Sequence, residues 1–208
     1  MKTLIYIGAN NGDGLISHLN NFDIVYAFEP LPEAYEILKK RFWNVSHLKL
    51  INAACSISEG KSDFYLTHKN QCSSFYKIHE EYEDKSLREF SKKVTIQTIN
   101  LRNFLNKENI KYIDHYVSDA QGFDFKILST IEDFINDKKI NSLFIETHSD
   151  KAKIYENADN KFSNFKKMLD KNYSIKFFSF DGVFVCPENL PMHEGISAME
   201  WDTYWELK

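Results

Sequence analysis

Leu4-Ile5-Tyr6-Ile7-Gly8-Ala9-Asn10-Asn11-Gly12 opens the chain with an apolar run that breaks into glycine and asparagine. Ile24-Val25-Tyr26-Ala27-Phe28-Glu29-Pro30 is a second such run, ending in an acid and a proline. Short runs rich in β-branched and aromatic residues, bounded by turn formers, read as strands buried on both faces. Residues 14–20 fit a short helix between them, so the chain begins with a βαβ frame. In such a frame the loop after the first strand lies at the carboxyl edge of a parallel sheet, where open α/β sheets bind ligands.

The loop itself narrows the ligand. A dinucleotide fingerprint needs glycine at positions 8, 10 and 13, and here the last two are Asn10 and Asp13. The middle glycine is the one that lets backbone approach a pyrophosphate, so its absence disfavours a nicotinamide-dependent oxidoreductase. What remains is a GxxxG turn expected to bend sharply and leave its amides exposed. Glu29 stands 21 residues after Gly8, close to the roughly 20 expected of a carboxylate that accepts from ribose hydroxyls. Pro30 stops the strand and holds that acid at the rim. Together the turn and the acid point to a nucleoside ligand carrying an amino acid.

Further along, strands are expected at residues 48–54, 94–99, 112–119 and 142–146, and helices at 32–42 and 123–135. Residues 61–93 form an insertion with a strand-like segment at 62–66, a polar loop and a charged run that reads as an exposed helix or lid. Long insertions in compact domains are often functional. A helix at 162–169 and a hairpin of strands 174–179 and 182–187 around Asp181-Gly182 close the pattern. The fold class expected is α/β: a Rossmann-like, mainly parallel sheet of about seven strands with an antiparallel C-terminal hairpin, in one domain over 1–208. Aromatics make up 15% of the 208 residues, enough bulk for a large core. A net charge of -4 gives no global reason to expect nucleic acid. Cys55, Cys72 and Cys186 lack any CxxC pair, which points to a reducing compartment rather than a disulfide framework or a zinc site. The first residues are too briefly apolar for a signal segment, and nothing reaches the roughly 20 apolar residues of a bilayer span, so a cytoplasmic protein without membrane partners is expected.

At this point the sequence resembles the FkbM family of S-adenosylmethionine-dependent methyltransferases. The resemblance rests on Ile7-Gly8-Ala9-Asn10-Asn11-Gly12, Ala27-Phe28-Glu29-Pro30, Ile51-Asn52-Ala53-Ala54, Ser118-Asp119-Ala120-Gln121-Gly122-Phe123-Asp124 with Leu128 behind it, and Ile145-Glu146-Thr147-His148. These blocks keep the family's order across residues 4–148. The resemblance implies a class I methyltransferase fold with Gly8 to Gly12 around the methionyl part of the cofactor. It also implies Glu29 and Pro30 at the ribose, Asn52 and Ala53 near the adenine, and Asp119 with Gln121 near the sulfonium and methionyl amine. Two positions depart from the family pattern: Tyr6 replaces an acid before the glycine turn, and Val117 a lysine before Asp119. Asp13 or Asp119 would then supply the counter-charge for the ligand's ammonium group.

A methyl sulfonium is already electrophilic, so the protein's work is positioning, water exclusion and removal of the acceptor's proton. His148 is the first choice for that base and Asp119 the second. A metal on Asp119, Glu146 and His148 is set aside, because no second acid sits beside Asp119 and Gln121 is neutral; no metal is expected. Ser73, Ser74, His68 and His79 lie in the insertion and stand as acceptor contacts or plain loop residues. Trp201, Tyr204 and Trp205 recur at helical spacing and read as core or homodimer contact. The activity implied is O-methylation of a small molecule, the sugar or glycan acceptor coming from the family. A non-catalytic nucleoside- or glycan-binding module is the alternative.

Overall fold

The computed structural model describes residues 1–89, 92–180, 183–187 and 200–208. In chain order the first half holds β1 (Thr3–Ile7), β2 (Ile24–Phe28), α1 (Pro32–Arg41), β3 (Leu48–Ile51), β4 (Ala54–Ser56), β5 (Gly60–Leu66), α2 (Lys85–Glu89) and β6 (Lys92–Asn100). The second half holds α3 (Leu101–Lys107), β7 (Ile113–Ser118), α4 (Asp124–Ser129), α5 (Glu132–Asn136), β8 (Ile140–His148), α6 (Phe162–Leu169), β9 (Tyr173–Phe180), β10 (Val183–Val185) and β11 (Glu200–Leu207).

Among the described residues the main sheet has eight strands in the order β10-β9-β11-β8-β7-β1-β2-β3, and a smaller sheet runs β4-β6-β5. From β3 to β8 all neighbours are parallel, and β11 pairs antiparallel with both β8 and β9. Parallel strands need helices over both faces, and the period-2 pattern shows both faces buried. Leu4, Val25, Ala27 and Val117 pack with Leu38 and Phe42 of the α1 side, while Ile5, Ile7, Tyr26 and Phe28 pack with Leu105, Ile127 and Phe165 on the other. α1 starts at Pro32 with Glu33 in its first turn and ends on Lys39, Lys40 and Arg41, which suits the helix dipole at both ends.

Several elements depart from the sequence reading, each for a local reason. Residues 14–20 form two short 3-10 turns, Leu15–Ser17 and Leu19–Asn21, because the Ser17 hydroxyl donates to the Gly14 carbonyl and Asn21 to the Ser17 carbonyl. The helix expected over 123–135 divides into α4 and α5 where Ser129 and Thr130 hydroxyls bond back to Phe125 and Ile127 carbonyls. The strand over 48–54 splits at Asn52, whose side chain turns to the carbonyls of Glu29 and Pro30. α1 buries Ala34 and Leu38, while Ile37 is half exposed. In the charged run only α2, five residues long, is helical among the described residues.

The tail carries the largest correction. Trp201 and Trp205 belong to a strand, not a helix: Trp201, Thr203 and Trp205 alternate inward along β11, and the Trp205 indole donates to Thr203 Oγ1 at 2.9 Å. Bulky aromatics suit a pleated, half-buried surface, which overrides the chance helical spacing. The expected hairpin is present as β9 and β10, paired from Phe180 to Val183, while its turn at Asp181-Gly182 lies outside the described residues. No helix among the described residues is long and apolar enough to cross a membrane.

Candidate functional site

β1 ends in a turn built on one close approach. Asp119 donates its amide to the Ile7 carbonyl at 3.1 Å, which brings the start of the β7 loop against Gly8. Gly8 has φ +79°, and a Cβ there would lie 1.9 Å from the Asp119 carbonyl oxygen, so no side chain fits. The turn's amides are not exposed as expected. Gly8 and Ala9 both donate to the Phe28 carbonyl at 3.1 and 3.0 Å, Asn10 donates to Glu29 Oε2 at 2.8 Å, and Gly12 donates to the Ala9 carbonyl. Internal satisfaction of these donors is the normal outcome for buried backbone, and it fixes the turn on the end of β2.

Glu29 is therefore more than a ribose acceptor waiting at a rim. Its Oε1 accepts from the Leu31 amide at 2.8 Å while Oε2 holds Asn10, so one buried carboxylate clamps two loops. Burial pushes its carboxyl above the usual range, with the two amides pulling the other way. Each oxygen keeps a further lone pair for a hydroxyl. Asn52 donates to the carbonyls of Glu29 and Pro30 at 2.9 and 3.2 Å, holding the rim from behind rather than lining it.

A cleft opens over these residues, with about 640 Å³ of empty space including its open mouth. Gly8, Asn10, Glu29, Pro30, Ala53, Asp119 and Gln121 line it, joined by Phe28, Leu31 and Ala54. Ala9, Asn11, Gly12 and Asn52 do not line it. Ala9 is buried behind the turn, Asn11 bonds Asp13 at the surface, and Gly12 packs on Phe42. Phe64, Gln71, Ser73 and Phe75 come from the insertion, so its first part walls the cleft. Ser74 sits behind that wall, donating to the Gln121 carbonyl at 2.6 Å; His68 and His79 line neither this cleft nor its neighbour. Asp13 is held by Arg41 at 2.6 Å outside the cleft, which leaves Asp119 as the acid inside.

A second cleft, about 890 Å³ with its open mouth, meets the first at Asn10, Gln71, Asp119 and Gln121. Its other walls include Glu146 of β8 and Glu200 and Asp202 of β11; no lysine or arginine lines it among the described residues. The register explains the gathering: Glu200 stands opposite His148, and Asp202 opposite Glu146. Opposed residues share a face, so four side chains from two strands converge. Gln121 bridges the carboxylates, donating to Asp119 Oδ1 at 2.5 Å and to Glu146 Oε1 at 3.0 Å while accepting from the Tyr155 hydroxyl at 2.6 Å.

This crowding raises proton affinity throughout the cleft. Burial, then Asp119, Asp124, Glu200 and Asp202, hold the Glu146 carboxyl well above its ordinary range. Burial, then Asp119, Asp124 and Glu200, push Asp202 up to about 7. Asp119 is open to both clefts yet walled by protein elsewhere, and burial with the Glu200 charge raises it against the Gln121 hydrogen bond. His148 is buried behind Gly122 and stacked at 6.0 Å on Tyr155, and burial lowers it to about 4, so it is neutral at pH 7. It lines neither cleft.

Beneath the site, Asp124 is fully buried and accepts from the Ser118 hydroxyl, the Ala120 amide at 2.8 Å and Asn160 Nδ2 at 2.7 Å. The same Asn160 group reaches the Glu146 carbonyl at 3.3 Å, which ties α4, the β7 loop and β8 together. Glu200 and Asp202 escaped the sequence reading because only strand register brings them to β8.

A Gly8 cradle with no room for a Cβ, a clamped carboxylate at ribose spacing and a slot walled by Phe28, Leu31, Ala53 and Ala54 fit S-adenosylmethionine. The same frame recurs in solved structures. SMU.1697c from Streptococcus mutans, solved with SAH, superposes with a TM-score of 0.52 at 10% identity, over 100% of this chain and 89% of that one. An rRNA methylase from Streptococcus thermophilus gives 0.52 at 10% identity, over 99% and 86%. Human methyltransferase 10 domain containing protein gives 0.50 at 14%, over 99% and 72%. At these identities the likeness is one of fold. No curated protein matches. The fold is that of a class I methyltransferase, and S-adenosylmethionine is its cofactor. Residues 7–175 match the family model described as the methyltransferase FkbM domain, and the chain belongs to that family.

Proposed function

We propose that this methyltransferase acts on an oxygen of a small hydroxylated acceptor, with a sugar or glycan hydroxyl as the class the family resemblance favours. The observation that carries the reading is the second cleft, which adjoins the cofactor cleft and offers Asp119, Glu146, Glu200 and Asp202 with no cationic side chain among its described residues. Carboxylates accept hydrogen bonds from hydroxyls, whereas a phosphodiester acceptor needs clustered positive charge. The rRNA methylase among the neighbours shares the fold, and its acceptor belongs to that protein.

Bound S-adenosylmethionine supplies the methyl group, already activated by its sulfonium charge. Gly8, Asn10 and Glu29 would hold it, with Pro30 and Ala53 on the walls and Asn52 bracing the rim. Asp119 lines both clefts, so it would accept the acceptor's proton as the new oxygen–carbon bond forms. Gln121, which donates to Asp119 and accepts from Tyr155, would aim that carboxylate. His148, the first choice on sequence, is buried and lines neither cleft. Phe64, Gln71, Ser73 and Phe75 of the insertion would cover the cofactor within one domain. Three free cysteines support a cytoplasmic setting.

Calorimetry with S-adenosylhomocysteine followed by a screen of sugars, nucleotide sugars and RNA with labelled S-adenosylmethionine tests the reading. Label in a sugar hydroxyl is expected. Label in RNA would overturn the acceptor class, and binding without turnover on any hydroxylated acceptor would favour the non-catalytic module.

A further inference from the structure

His148 has a polar atom with no use in the fold. Its side chain is 5% exposed, and its Nε2 is buried without a hydrogen-bond partner, 3.7 Å from Glu146 Oε2. A buried nitrogen left this way loses its hydration with nothing in exchange. It points into a cluster of donors: one ligand atom each from Glu146, His148 and Glu200 lie within 4.8 Å of one another. Two ligands at about 2.0–2.4 Å from a shared ion are separated by at most roughly that distance.

The surroundings are arranged as for a ligand set. Gln121 donates to Glu146 Oε1 and Gly122 donates its amide to Oε2 at 3.2 Å, which orients the carboxylate while leaving lone pairs on both oxygens. Asp202 stands directly across from Glu146, and like charges so opposed destabilise a sheet. Carboxylates removed from water are found paired or on metals, and no lysine or arginine lines this cleft among the described residues.

We infer that Glu146, His148 and Glu200 form a binding site for one divalent cation of the manganese or zinc type. One imidazole with two carboxylates is a borderline donor set that suits such ions over magnesium or calcium, which favour oxygen alone. The second acid whose absence beside Asp119 counted against a metal comes from β11. At the floor of the acceptor cleft the ion would take adjacent hydroxyl oxygens and ease loss of a proton to Asp119; that part rests on the proposed O-methylation, whereas binding of the ion does not.

Manganese(II) alone is the probe, titrated into the full chain by calorimetry, with pulsed electron paramagnetic resonance on the same samples. One ion per chain is expected, with nitrogen modulation from a coordinated imidazole. Glu200→Gln, an isosteric change at an exposed position, should weaken binding by about tenfold or more, while Glu206→Gln on the same strand leaves it unchanged. Absence of saturable binding below about 1 mM, equal binding by Glu200→Gln, or a signal without nitrogen coupling would each overturn the site. S-adenosylhomocysteine is titrated in parallel. Its binding without manganese removes the cation alone, and manganese without it removes the methyl-transfer reading alone.

Discussion

Glu29→Gln tests the clamp at the centre of the cofactor cleft. In the native chain each carboxylate oxygen holds one backbone amide, Asn10 at 2.8 Å and Leu31 at 2.8 Å. Glutamine has a single oxygen, so its NH₂ must face one of those N–H groups. The lost charge-assisted bond costs about 1.5–3 kcal/mol and the stranded donor about 1–3 kcal/mol, while relief from burying a charge offsets part of this. A net loss of about 2–3 kcal/mol in stability follows, which lowers Tm by roughly 4–12 °C in a chain of this size. Binding suffers separately, because the ribose hydroxyls lose a charged acceptor. That change is about 1.5–3 kcal/mol, or roughly 10- to 150-fold in Kd for S-adenosylhomocysteine. Calorimetry and thermal denaturation read the two effects apart. A Kd within twofold of wild type would show that the ribose does not lie on Glu29, and an unchanged Tm would show that the clamp does not hold the turn.

Other substitutions probe the remaining parts. Gly8→Ala meets the Asp119 carbonyl at 1.9 Å and adopts φ +79°, so loss of soluble folded protein or of S-adenosylhomocysteine binding is expected, and normal binding would refute the cradle. Asp119→Asn should lower single-turnover methyl transfer by about 10²- to 10⁴-fold once an acceptor is found, and an unaltered rate would remove it as the base. Asp124 has its folded carboxyl raised to about 6, chiefly by burial. The folded state therefore binds that proton more tightly than the unfolded chain, and the stability it adds is lost as pH rises from about 4 through 6. Urea unfolding should show the wild-type advantage over Asp124→Asn shrinking across that window, and a difference that stays flat with pH would contradict the assignment.

What could be read in advance followed the distance over which each feature is encoded. Gly8, Glu29, Pro30 and Asp119 lie at strand ends that periodicity and turn residues mark within a few positions, so much of the first cleft's lining could be read in advance. Asn52 and Gly12 were legible as part of the same blocks but not in their roles, since bracing a rim or packing on Phe42 depends on what lies behind the turn. The acceptor side was hidden. Glu200 and Asp202 reach Glu146 and His148 only through the register of β11 on β8, a pairing no local pattern announces. The aromatics of β11 even mimicked a helical stripe, because Trp201, Tyr204 and Trp205 satisfy helical spacing while their burial follows period 2.

The placement of β11 also governs the order in which the molecule can be completed. β9 precedes β11 in the chain, yet β11 lies between β8 and β9 in the sheet. While the chain is being synthesised, the strands from β3 to β8 can pair as they emerge, and β8 keeps an open hydrogen-bonding edge until residues 200–207 arrive. The first cleft thus rests on early, parallel pairings, whereas the Glu200 and Asp202 wall of the second waits for β11. A nascent chain stalled before β11 would carry a formed first cleft beside an unfinished second one.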